Sequence, residues 1–370
     1  ALRYGGRIGD TINYRVYGKG RRIFDSSDGT DDDAYRLQGG FRVDWSPTTA
    51  DLVTVQGDLQ YGAHSQGSAP SEVFRGGDLV ARWNRTWSET SALQVQLYYD
   101  HVGREAQQGG GRFQLDTFDL DFLHSFTLGA SQRIVWGGGA RTSRYNIDGS
   151  PSLTLAPDQR TLFLANLFVQ DSVSITSSLT AIAGLKLERD PYSGIVLLPS
   201  GRLSWKPSAG SMLWAAVSRA IRAPTPFDRD VVERLGNTVF LIGPAEFRSE
   251  KLTAYEGGTR LILSDTASLS VSGFYNDYTD LRSIEPDPVN PLPFRWGNGI
   301  RGHSYGFDAW GDYRVTDWWR LKPGYSLLIE KFHFAPDASG LLGVSQIGND
   351  PKQLRGGVDP FYFPATAQGV

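Results

Sequence analysis

The stretch "TASLSVSGFYNDYTDLRS", Thr266–Ser283, decides the fold. Leu269, Val271, Gly273 and Tyr275 alternate with Ser268, Ser270, Ser272 and Asn276. A period of two marks a β-strand with one apolar and one polar face. The polar face is almost all small, uncharged groups, and the run is long. The expectation is a strand with an oily outside and a wet inside over about a dozen residues.

Working outward, the same alternation recurs. Val53, Val55, Gly57, Leu59 and Tyr61 stand against Thr54, Gln56, Asp58 and Gln60. Leu93, Val95, Leu97 and Tyr99 stand against Gln94, Gln96, Tyr98 and Asp100. Phe118, Leu120, Phe122 and Phe126 oppose Asp119, Asp121 and Ser125, with His124 interrupting the apolar set. Leu179, Ala181, Ala183, Leu185 and Leu187 oppose Thr180, Lys186 and Glu188. No segment keeps a 3.6-residue period over a useful length. The chain reads as all-β.

Composition narrows the class. The 370 residues carry 37 basic and 40 acidic side chains, a net charge of -3, which gives no electrostatic case for nucleic acid as a partner. With 0 Cys, disulfide, zinc-finger and thiol chemistries are closed. The mean hydropathy of -0.32 is that of a soluble protein, and no apolar run approaches the roughly 18 residues of a membrane helix. A transmembrane barrel strand evades that test, because every second residue faces the lumen. The chain opens "ALRYGG", with neither initiator Met nor signal peptide, so a processed or cut N-terminus is expected.

Connections fall into two alternating kinds. Short ones include 46–49, "WSET", "LGAS", "ITSS", "KPSAG", "LSDT" and "VTD". Longer polar ones are expected at 18–33, 63–71, 104–111, 146–159, 220–248, 285–299 and 333–350. Short turns at one rim and long loops at the other describe an antiparallel up-and-down meander of the outer-membrane type. Of the 10 Trp, Trp45, Trp83, Trp87, Trp136, Trp205, Trp214, Trp318 and Trp319 lie beside short turns, and Trp296 and Trp310 nearer the long loops. That predicts an interfacial indole girdle at the short-turn rim. A propeller would fit four strands into about 40 to 45 residues, whereas two strands and a loop occupy each interval here. The reading is about seventeen strands with no domain boundary.

Several motifs carry nothing. "GNGIRG" (Gly297–Gly302) matches a dinucleotide fingerprint but follows a Pro-rich loop and opens a strand. "DGTDDD" (Asp28–Asp33) lacks the EF-hand spacing. The sequon at Asn84–Thr86 lies beside a short turn. The five His are scattered, without an H-x-x-x-H pair, and no G-x-S-x-G elbow occurs. No enzyme, metal site or cofactor is indicated.

An ordered series of stretches resembles the barrel of TonB-dependent outer-membrane receptors. It runs "LFVQDSVSI" (Leu167–Ile175), "LTAIAGLKLERDPYSG" (Leu179–Gly194), "LPSGRLSWKPSAGSMLWAAVSRA" (Leu198–Ala220) and "VSRAIRAPTPFDRD" (Val217–Asp230). "SEKLTAYEGGTR" (Ser249–Arg260), "LSVSGFYNDYTDLRSIEP" (Leu269–Pro286) and "GNGIRGHSYGFDAWGDYRVTDWWRL" (Gly297–Leu321) follow in the family's order. The resemblance covers residues 1–370 as one barrel domain and is specific from about Leu162 onward. It implies an antiparallel transmembrane barrel of about 22 strands around a plug. Against it, this chain has no plug, its first barrel strand is expected to be missing, and it ends "FPATAQGV" without the last strands.

The resemblance further implies a Gram-negative outer-membrane location, a bilayer around the wall, and a monomer. A TonB-type energy-transducing partner would act through the plug, and the cargo would be a ferric siderophore, haem or cobalamin. No covalent chemistry is implied. The residues expected to meet cargo follow the "SRAIRAP" strand: Arg219, Arg222, Phe227, Asp228 and Arg229, with Trp296 and Arg301 on a later loop. Guanidinium forks suit anionic chelates, although for Arg219 and Arg222 pairing with lumen carboxylates is the stronger expectation. A passive porin of about 16 to 18 strands shares the alternation and the girdle. A soluble β-rich enzyme or adhesin would instead pack the apolar rows in a dry interior.

Overall fold

The computed structural model describes residues 1–24, 33–66, 69–106, 110–286, 290, 292–336 and 338. In chain order the strands are β1 (Leu2–Ile8), β2 (Ile12–Ile23), β3 (Ala34–Trp45), β4 (Asp51–Gln66), β5 (Ala69–Ser88), β6 (Ser91–Ala106) and β7 (Gly111–Leu128). They continue as β8 (Gln132–Asp148), β9 (Leu153–Leu155), β10 (Gln159–Ser174), β11 (Leu179–Asp190), β12 (Gly194–Ser208) and β13 (Ser211–Arg222). After the helix α1 (Pro226–Arg229) come β14 (Val231–Leu235), β15 (Thr238–Ile242), β16 (Glu250–Ser264) and β17 (Ala267–Glu285). The last are β18 (Phe294–Arg314), β19 (Arg320–Leu321) and β20 (Gly324–Phe334).

The described residues hold 20 strands in one sheet, of which β9, β14, β15 and β19 are short pieces and the other 16 form a wall. Each wall strand pairs antiparallel with the next, the order passing from β8 to β10, from β13 to β16 and from β18 to β20. Among the described residues no pairing joins β1 to β20. Among the described residues no helix is long and apolar enough to cross a membrane, which says nothing about crossing by strands. "GNGIRG" lies wholly within β18, so the βαβ context of a nucleotide site is missing. Asp28–Asp32 of the acidic stretch lie outside the described residues.

Register keeps the two faces pure. Tyr99, Leu97 and Val95 of β6 stand opposite Phe118, Leu120 and Phe122 of β7, while Tyr98 and Gln96 stand opposite Asp119 and Asp121. A slip of one residue would turn every apolar side chain inward. The apolar face is bare: Leu59 is 73% exposed and Leu167 59%. Among the described residues no second sheet covers those rows, so they do not pack as the core of a sandwich. The opposite face is knitted by ion pairs, Arg42–Asp44 at 2.8 Å, Arg141–Asp119 at 2.7 Å and Lys186–Glu188 at 2.6 Å. Water-accessible charge on one side and naked hydrocarbon on the other is the signature of a barrel wall in lipid.

The girdle is real but differs in detail from the expectation. Trp45 and Trp83 flank Val53 on one level, and Trp87, Trp136 and Trp205 are exposed on the apolar face. His124, the apparent interruption, sits edge-on to Trp87 at 5.1 Å and accepts the Trp136 indole N–H on Nδ1 at 2.9 Å. Trp214 departs from this group. It alternates with the exposed Leu213 and faces the lumen, its indole lying over Gly258, where a Cβ would meet the ring at 2.9–3.0 Å. Trp310 belongs near the short turns, because β18 runs on to Arg314. The expected long loop at 63–71 is mostly strand, since β4 and β5 stay paired up to Gln66 and Ala69. The β11–β12 connection spans only residues 191–193, so short and long connections do not alternate strictly.

Candidate functional site: a cap at the long-loop rim

The loops at the long-loop rim fold onto one another. β14 pairs with β15 and with β9, and β15 runs parallel to the start of β18 at Leu241↔Phe294 and Ile242↔Arg295. Beneath them Val231, Leu241, Phe247, Ile284 and Trp296 form the molecule's one cluster of buried apolar side chains among the described residues. A wall in lipid needs no dry interior of its own. This core exists to hold loops.

Two carboxylates fix the cap. Thr225 caps α1 in a reciprocal capping box: its hydroxyl oxygen accepts the Asp228 backbone N–H at 3.3 Å, and its own backbone N–H donates to Asp228 Oδ2 at 2.9 Å. Asp228 is fully buried and also receives Arg222 at 2.9 Å and Arg282 at 3.0 Å. Arg222 reaches back to Glu250 at 2.8 Å. Arg282 stacks over Trp296 at 4.5 Å, and Phe227 leans on the same indole at 5.9 Å. The opening stretch explains how Arg282 gets there. Asp280 adopts a left-handed φ of 59° where the β17–β18 register slips, and that bulge re-aims the residues after it. Asp tolerates this conformation better than most side chains.

The second carboxylate, Asp230, takes Arg160 at 3.1 Å, Tyr145 Oη at 3.2 Å and Tyr192 Oη at 3.3 Å. Arg229 donates to the Tyr192 carbonyl at 3.0 Å and lies over its ring at 5.2 Å. Burial pushes the Tyr192 phenol up to about 12, with the charge of Asp230 adding to it, so it remains a donor at neutral pH. For Asp228, burial acts against ionisation. The hydrogen bonds from Arg222, Thr225 and Arg282 override it and hold the carboxyl below its usual range.

That depressed value fixes a pH window. A carboxylate more acidic folded than unfolded stabilises above its unfolded pKa of about 3.9, and the benefit is lost as pH falls through the folded value. Protease resistance of residues 223–249 should therefore hold from pH 7 to about pH 4 and fail only in stronger acid. Loss near pH 6 would mean that another group controls the cap.

The sequence-predicted residues thus separate. Arg222, Phe227, Asp228 and Trp296 converge, and Arg229 joins through Tyr192. Arg219 and Arg301 do not: each has the parity of the apolar face, Arg219 two residues beyond Val217 and Arg301 bonded to His333 at 3.2 Å. Sequence reasoning missed Asp230, Tyr192, Arg160, Glu250 and Arg282. The Thr225-Pro-Phe-Asp228 capping pattern was a usable signal for a structural Asp228. Nothing local marks Arg160 or Tyr192, which meet Asp230 only through the fold.

A cleft of about 480 Å³ opens beside the cap, lined by Trp296, Arg248, Asn298 and Gly299 among others. Trp296 Nε1 is buried without a hydrogen-bond partner. Among the described residues no group of three or more His, Asp or Glu could hold a metal ion.

The fold is shared with solved structures. The siderophore receptor PirA from Pseudomonas aeruginosa superposes with a TM-score of 0.74 at 16% identity, over 89% of this chain and 62% of that one. A ferric enterobactin receptor (PfeA) mutant from Pseudomonas aeruginosa gives 0.73 at 13%, over 89% and 59%. The FrpB iron transporter from Neisseria meningitidis gives 0.69 at 11%, over 90% and 59%. This chain spans about three fifths of the length of each. No curated protein matches its sequence. The family of TonB-dependent receptor-like β-barrels, receptors and transporters of Gram-negative outer membranes, matches residues 2–356. A two-faced wall, an indole-rimmed turn side and that match together mean that the chain belongs to the TonB-dependent receptor β-barrel family.

Proposed function

We propose that the chain is the wall and cap of an outer-membrane receptor that takes up a ferric siderophore or similarly bulky nutrient complex, energised by a TonB-type protein. The observation that carries the reading is the buried, unpartnered N–H of Trp296, a residue that lines the 480 Å³ cleft of the loop cap. A buried donor without an acceptor costs about 1–3 kcal/mol, a cost that an oxygen-rich ligand at the cleft removes. Arg248 and Arg295 line the same cleft together with Glu246 and Glu285, so it offers charge of both signs to such a ligand. Haem and cobalamin are the other cargo classes of this reading. Monomeric assembly and a plug acting with this wall belong to it as well. Among the described residues nothing pairs with the outer edges of β1 and β20, which supports further strands completing the wall, because unpaired backbone groups are costly in lipid.

The test uses the full-length receptor. Deleting its gene should abolish growth on one ferric siderophore of a panel under iron limitation, and de-energising the inner membrane should abolish uptake without abolishing binding. Trp296→Phe should weaken binding about fivefold, one lost hydrogen bond. Uptake that persists without energy, with steady conductance in planar bilayers, would replace this reading with a passive porin.

A further inference from the structure

The "GNGIRG" stretch lacks the setting of a nucleotide site, yet its first three residues, Gly297, Asn298 and Gly299, line the cleft of the cap. Between β17 and β18 the ladder runs Tyr278↔Gly302, Leu281↔Ile300 and Ser283↔Gly297. The first step takes three residues on β17 against two on β18, and the second takes two against three. Two bulges therefore stand back to back, one at Asp280 and one at Asn298–Gly299, and the second restores the register that the first shifts. A bulge releases a side chain from the ladder and re-aims it. The glycines let the strands close there: a Cβ on Gly297 would meet Glu285 Cγ at 2.6 Å, and Gly299 donates its N–H to Ser283 Oγ at 2.9 Å.

The released side chain serves a neighbour that has no strand of its own, since residues 243–249 pair in no ladder. Asn298 Oδ1 accepts the Arg248 N–H at 2.8 Å. Its Nδ2 donates to the Arg248 carbonyl at 2.9 Å and to the Asp280 carbonyl at 2.7 Å. The amide does for Arg248 what a paired strand would do. The far end of Arg248 is held too, its Nη2 donating to Asp280 Oδ1 at 3.2 Å. Both bulges grip one residue, by its backbone and by its head. The Arg248 side chain is nonetheless 68% exposed, and it lines the cleft.

Arg248 and Arg295 share that cleft with Glu246 and Glu285, so its preference for an anion depends on where the charges stand rather than on their number. A long side chain that is ordered only at the moment of capture weakens binding by the entropy it loses, and one already held does not. We propose that Asn298 is a positioning residue: it presets Arg248, and through it sets how far the cap prefers an anionic chelate to a neutral one. This rests on the cleft belonging to the cargo site. Both N–H groups of the Asn298 amide are taken by carbonyls, so it acts through Arg248 rather than on cargo itself.

The experiment uses the full-length receptor in detergent and two probes, a trianionic ferric tris-catecholate and a neutral ferric tris-hydroxamate, with Kd read from quenching of tryptophan fluorescence. Arg248→Gln keeps the clamped backbone and loses only the charge, and should weaken the trianion about tenfold. Asn298→Ala should weaken it about fivefold, the effect of ordering one long side chain on binding. The double variant should bind like Arg248→Gln alone, because a charge that is gone needs no placing. Either single variant should change the neutral chelate by less than about twofold, since no charge on it answers Arg248. Normal amounts of receptor in the outer membrane show that each variant folds. A merely structural Asn298 would weaken both chelates alike or add its loss to that of Arg248→Gln, and either result would overturn the proposal. An unchanged trianion affinity in Asn298→Ala, or a wild type that binds neither chelate, would do the same. Trp296→Phe separates the two readings: if it weakens binding while Asn298→Ala does not, the positioning role falls and the cargo site stands.

Discussion

Asp228→Asn should release the cap while leaving the wall intact. The substitution keeps an acceptor for Thr225 but removes the charge that holds Arg222 and Arg282 together. Two guanidiniums would then face each other across a buried site. Removing one partner of a buried pair costs about 3–5 kcal/mol. Residues 223–249 should become protease-sensitive in intact cells, and cargo binding should fall about a hundredfold. The control is Asp10→Asn, which breaks an ion pair with Arg7 whose carboxylate is 98% exposed. Exposed pairs contribute about 0–1 kcal/mol, so that variant should behave as wild type. If the two variants were indistinguishable, Asp228 would not be the cap's anchor. The normal amount of receptor in the membrane separates loss of the cap from failure to fold.

How much of this could be read beforehand depends on the distance over which each feature is written. Wall strands are written locally: alternation in "LSVSGFY" fixes both faces of β17 without any knowledge of its neighbours. The rim turns and most of the girdle are local too, because an indole beside a two- to five-residue turn has one interface to occupy. Trp214 escaped that logic through parity, since position along the strand was right and face was wrong. Counting two residues on from Leu213 rather than one would have exposed it. Arg219 and Arg222 fail in the same way. They are three residues apart in a strand, so their side chains point to opposite sides of the wall, and one of them could never have joined the other at a lumen site.

The cap is written non-locally. Arg160, Tyr192 and Asp230 come from three separate stretches and meet only because β10, the β11–β12 turn and α1 reach the same rim. Arg282 reaches Asp228 only through the bulge after Asp280, and a bulge is invisible in an alternation that merely slips by one residue. Loop chemistry in this family's fold is thus set by which strands stand next to each other, a property of the whole sheet.

A pair of neighbouring substitutions in β4 carries the strongest consequence of the two-faced wall. Leu59 stands in the middle of its strand, 73% exposed, between Gly39 and Gly77 on either side. Gln60 is the next residue and accepts a hydrogen bond from Arg36 on the opposite face. Leu59→Arg should lower stability in lipid by about 2–4 kcal/mol, the cost of a cation near the bilayer midplane. Gln60→Arg sets a cation beside Arg36 in water, where screening keeps the repulsion to a few tenths of a kcal/mol. Urea unfolding in phosphatidylcholine vesicles measures both. The contrast is independent of helix or strand propensity, because the residue introduced is the same and the two sites are adjacent. A soluble sandwich reverses the experiment's logic: there Leu59 would be buried against a second sheet, and both variants would express without membrane. Equal costs at 59 and 60 would mean that both faces meet the same solvent, which a wall between lipid and lumen does not allow.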